Sequence, residues 1–109
     1  MKLTALRLAL ASAGSLCFLS AALGQGTEVK RGETIVTRDC GPCHATMRTG
    51  ESRHPDAPAF RTLSKRYPIE SLEEALGEGL VTGHDTPEFI FKRTEVGAII
   101  AYLNSIQDP

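Results

Sequence analysis

The chain has 109 residues, 12 basic and 13 acidic, with 41% hydrophobic residues, 6% aromatic and no Trp. That length accommodates one domain and no second core. The slight acidity argues against nucleic acid or an anionic membrane as partner, and the scarcity of aromatic rings argues against a base-stacking surface.

The first segment reads as an export signal. Lys2 and Arg7 give a positive start, and the run from Leu8 to Leu23 carries no charge. Ala22 and Gly24 place small residues at the −3 and −1 positions before Gln25, so residues 1–24 are expected to be cleaved on export to the periplasm. A retained anchor is the alternative, but serine and glycine dilute the run below what a span requires. Cys17 is discarded with the signal. Without Lys2 and Arg7, ten basic residues face 13 acidic ones, a balance of −3. The remaining chain of about 85 residues is small enough to need a disulfide, metal or cofactor to complete its core.

Residues 25–31 are expected to form a flexible leader, with the folded domain over 32–107. A helix is predicted from about Glu33 to Pro42, against the preference of the β-branched run Thr34-Ile35-Val36-Thr37. Gly32, Val36, Cys40 and Cys43 lie along one stripe of it. Gly50, Pro55 and Pro58 punctuate a loop over residues 45–59, and a short helical turn is expected through Arg61–Arg66. Pro68-Ile69-Glu70 opens a clearer helix whose buried side is Leu72, Ala75 and Leu76. Its solvated side is Glu70, Glu73, Glu74 and Glu78, and Gly77 and Gly79 close it. After an irregular stretch over 80–93, Thr94 is expected to cap a last helix with Val96, Ile99, Ile100 and Leu103 on one face. Gly97 costs that helix about 1 kcal/mol unless a neighbouring backbone needs the space. The pattern is all-α.

The chemistry concentrates in Cys40-Gly41-Pro42-Cys43-His44. Two thiols three residues apart, followed at once by an imidazole, form the attachment signature of c-type haem. On a helix both sulfurs share a face and reach one porphyrin, and His44 presents a ring nitrogen to the iron as proximal ligand. Phe60 and Leu63 are placed to cover the porphyrin edge.

Across about residues 30–107 the chain resembles the class I monohaem c-type cytochromes, in particular their small bacterial periplasmic members. The shared elements are the Cys-Gly-Pro-Cys-His run, Gly32 and Val36 before it, the His54–Arg61 stretch, and Tyr102-Leu103 in the last helix. The resemblance implies a cytochrome c-like fold of three to four helices wrapped around one covalent haem c. First and last helices cross at Gly32, and Val36 stands where an aromatic residue is more usual. It also implies that the Pro58 carbonyl orients His44. Pro58, Phe60, Thr86 and Phe89 are the pocket candidates. The implied function is electron transfer between redox partner proteins, by a monomer that is not an enzyme.

One departure lies on the far side of the iron. The family has Met directly before Pro, followed by Phe; here the run is Gly83-His84-Asp85-Thr86-Pro87-Glu88-Phe89, with Thr86 in the place of the ligand sulfur. His84 is the candidate distal ligand. Alternatively the sixth position is open or holds water, with Thr86 offering a hydroxyl. Met47, His54 or a lysine are further candidates. An open position carries a second functional reading, a haem protein that binds or senses small gaseous ligands. Loss of Met predicts a lower reduction potential on either account.

Cys-Gly-Pro-Cys is also the active-site tetrapeptide of thioredoxins, a thiol–disulfide reading of Cys40 and Cys43. The chain lacks the alternating strands and helices of their sheet. Structural zinc needs a fourth ligand that no second close pair supplies.

Overall fold

The computed structural model describes residues 15–80 and 89–109, with side chains from residue 23 onward. Among these, three α-helices carry the fold: α1 (Ser15–Asp39), α2 (Leu72–Glu78) and α3 (Arg93–Ser105). Two 3₁₀ segments, Phe60–Lys65 and Ile69–Ser71, lie between α1 and α2. Among the described residues, strand pairing is confined to an isolated antiparallel bridge between Leu80 and Phe89.

The core forms where α1 crosses α3. A Cβ on Gly32 would lie 2.7 Å from Tyr102 Cβ and closer still to the Ala98 carbonyl oxygen, so the two backbones touch and only glycine fits. Around that contact Ile35 and Val36 of α1 pack with Val96, Ile99, Ile100, Tyr102 and Leu103 of α3. The four α3 positions predicted to face inward are all buried. Ile69 and Leu76 close the core from the α2 side, while the four glutamates of that region are exposed, as their spacing implied.

Three boundaries differ from expectation. Residues 25–31 are helical, not a flexible leader, and the packed chain begins at least at Val29, which sits against the core. A helix already nucleated by the packed crossing extends at little cost per residue. Thr27 and Thr34 return hydroxyls to the carbonyls four residues back, at 3.0 and 3.1 Å. At its other end α1 stops at Asp39, short of Pro42. The Cys40 and Gly41 amides both donate to the Val36 carbonyl, at 2.9 and 3.2 Å, which ends the regular ladder. Finally, α3 is capped at Lys92 instead of Thr94. The Glu95 carboxylate reaches back to accept from the Lys92 amide at 2.9 Å, which fixes the start two residues earlier.

No helix among the described residues is long and apolar enough to cross a membrane.

Candidate haem site

The residues after α1 make a turn of their own. His44 N–H donates to the Cys40 carbonyl at 2.9 Å and Cys43 N–H to the same oxygen at 3.2 Å. Both thiols and the imidazole are thereby brought to the wall of a single cleft of about 280 Å³. Ala57, Pro58 and Phe60 form a second wall, and Leu80 and Phe89, joined by their bridge, form a third. Apolar walls with a few convergent polar groups are what a flat apolar cofactor requires.

The geometry around His44 is specific. Its Nδ1 lies 2.8 Å from the Pro58 carbonyl oxygen. A carbonyl only accepts, so Nδ1 carries the proton and Nε2 keeps its lone pair for a metal. The Phe60 ring leans on the imidazole, with centroids 4.5 Å apart and planes at 35°.

Backbone bonds hold the strands of this turn together. Phe60 N–H donates to the Ala45 carbonyl at 2.9 Å, Ala45 N–H to Ser52 Oγ at 2.9 Å, and His54 N–H to the Cys43 carbonyl at 3.1 Å. The buried Tyr102 hydroxyl donates to the Thr46 carbonyl at 2.6 Å. Sequence reasoning missed Ser52, whose bond spans seven residues of irregular loop, and the Tyr102 hydroxyl, whose bond spans 56 residues; neither leaves a periodic pattern.

Cys40, Cys43, His44, Pro58, Phe60 and Phe89 thus meet as expected, and His54 also reaches the cleft. Leu63 is packed in the core instead of the cleft wall. His84 and Thr86 lie outside the described residues. Met47 does not line the cleft; its sulfur stands 3.4 Å from the Tyr102 hydroxyl. Arg48 and Arg61 are turned to the carbonyls of Ser105 and Gly50.

Cys40 and Cys43 are not joined to each other by a disulfide. Burial, with Asp39 adding, pushes the Cys40 thiol up to about 11. The described residues form no sheet, and a thiol that burial holds protonated lends the thioredoxin-like reading no support. Two thiols, an imidazole with a free Nε2 and apolar walls fit haem c.

The cytochrome c family model matches residues 29–107. The chain belongs to the cytochrome c family. It is 32% identical over 101 residues to "Cytochrome c-552" of Bradyrhizobium diazoefficiens, an alignment covering 92% of this chain and 88% of that protein. No solved structure matches at the same stringency. This cytochrome is therefore a class I monohaem protein with covalent haem c, an electron carrier serving redox partners and not an enzyme.

Proposed function

We propose that this cytochrome works in the periplasm as a monomer, exported by residues 1–24 and meeting a membrane only through a partner or an unprocessed signal. Cys40 and Cys43 would take the two thioether bonds, and His44 would ligate the iron through Nε2. Haem bound there supplies a reversible one-electron couple. The protein's own part is to bind, orient and exclude water. Pro58 holds the proton at Nδ1, which raises the basicity of Nε2 and favours the more highly charged metal. Phe60 and Phe89 keep the cleft apolar. The observation that carries this reading is the 2.8 Å contact between His44 Nδ1 and the Pro58 carbonyl, at the wall that both thiols share.

On a denaturing gel, haem is expected to stay with the polypeptide, and to be lost when Cys40→Ser and Cys43→Ser are combined. Haem that leaves the wild-type chain under those conditions would overturn the assignment. His44→Ala is expected to lose the low-spin spectrum.

On the distal side, Thr86 before Pro87 supports atypical ligation, with His84 as ligand and a potential below that of Met-ligated relatives. An unchanged low-spin spectrum in His84→Ala would eliminate that histidine. Thr86 also supports a second reading, an open sixth position that binds small gaseous ligands. Prompt carbon monoxide binding by every reduced molecule favours it over the closed carrier.

A further inference from the structure

We propose that Gln107 is a positioning residue for the proximal haem ligand, acting on His44 through Phe60; the inference rests on the reading of His44 as that ligand. The Gln107 side chain makes three hydrogen bonds. Its Nε2 donates to the Phe60 carbonyl at 2.8 Å and to the Leu103 carbonyl at 2.7 Å, and its Oε1 accepts from Ser64 N–H at 2.8 Å. The amide has one orientation that satisfies this set, since reversing it would set an oxygen against two carbonyls.

The partners explain what the amide does. Leu103 belongs to the last turn of α3, whereas Phe60 and Ser64 belong to the 3₁₀ segment that follows Pro58. Gln107 therefore ties the rigid helix of the crossing to the short segment that touches the imidazole twice. Pro58 takes the ring's Nδ1 proton, and Phe60 leans on its face. From the other side, Phe60 N–H is fixed to the carbonyl of Ala45, the residue after His44. The peptide units of Phe60 are thus held at one end by the histidine's own loop and at the other by Gln107. Freeing the outer end lets the Pro58 carbonyl drift from Nδ1, and a weaker bond there lowers the basicity of the ligand.

The test uses the holoprotein. Gln107→Met keeps the length of the side chain and removes all three bonds. Its reduction potential is expected to rise, and the His44 Nδ1 proton, followed by NMR, to exchange with solvent about five-fold faster. Asn104→Ala is the control. It removes a 2.9 Å bond between α3 and Glu70 without touching the 58–60 segment, and both readouts should stay at wild-type values. Wild-type readouts in Gln107→Met, or equal movement in Asn104→Ala, would overturn the inference. Should Gln107→Met fail to fold, the neutral Gln107→Asn answers by the same two outcomes, because it is one carbon too short to hold all three partners. The premise fails separately: a His44→Ala holoprotein with the wild-type iron spectrum removes the ligand assignment itself, whereas a changed one alongside a silent Gln107→Met removes only the role of Gln107.

Discussion

Where α1 crosses α3 the chain is positioned by contact, and where His44 follows α1 it is positioned by hydrogen bonds. At the crossing, Gly32 lies against Ala98 and Tyr102 among buried aliphatic side chains. Around His44 there is no regular element, yet the neighbouring peptides of Cys43, Ala45 and Thr46 each have a named partner in another part of the chain. Close packing fixes separations and rotamers but does not choose which ring nitrogen keeps the proton. A directed hydrogen bond makes that choice. The first region gives this cytochrome its fold, and the second gives its ligand an orientation.

The comparison breaks most visibly at Gly32. Gly32→Ala forces the two helices apart and is expected to cost about 3 kcal/mol, read from a denaturant melt of the holoprotein. Ser52→Ala tests the other region. It strips the buried Ala45 amide of its acceptor and should cost about 1.5 kcal/mol, while the helical circular dichroism stays native. A loss as large as that at Gly32 would mean that the proximal turn, too, is held chiefly by packing.

Gly97 sharpens the contrast with the opposite sign. It sits inside α3 like Gly32 inside α1, but a Cβ there meets nothing within 4 Å. Gly97→Ala should therefore stabilise the protein by about 0.7 kcal/mol. The smallest effect concerns acid. The Glu70 carboxyl is held below the usual carboxylate range by a backbone hydrogen bond first and by Asn104 second. A group lowered in this way contributes above its unfolded pKa, and the contribution is lost as pH falls through the folded value. Melting temperature should consequently fall less between neutral and acid pH in Asn104→Ala than in the wild type.

What could be read in advance divides along the same line. The buried faces of α2 and α3, the stripe from Gly32 to Cys40 and the helix stop at Gly79 all follow from local spacing and backbone preference. The resemblance supplied the contact between His44 and Pro58, fourteen residues apart. By contrast, the start of α3 depended on a back-reaching Glu95 rather than on Thr94, since either residue type suits a helix start. The helicity of 25–31 came from a neighbour already packed, which a window of polar residues does not reveal. Ser52, Gln107 and the role of the Tyr102 hydroxyl escaped. Each acts through polar side-chain atoms on backbone groups elsewhere in the chain, and no periodicity marks such atoms.

The meeting of Gly32 with Ala98 has a consequence for chain entropy. The contact joins opposite ends of the folded domain, so the segment bearing Cys40 and Cys43 lies inside a long loop that closes only when α3 docks. Docking therefore closes a loop of more than sixty residues in one step, and the cost of that closure falls on the contact between the two backbones.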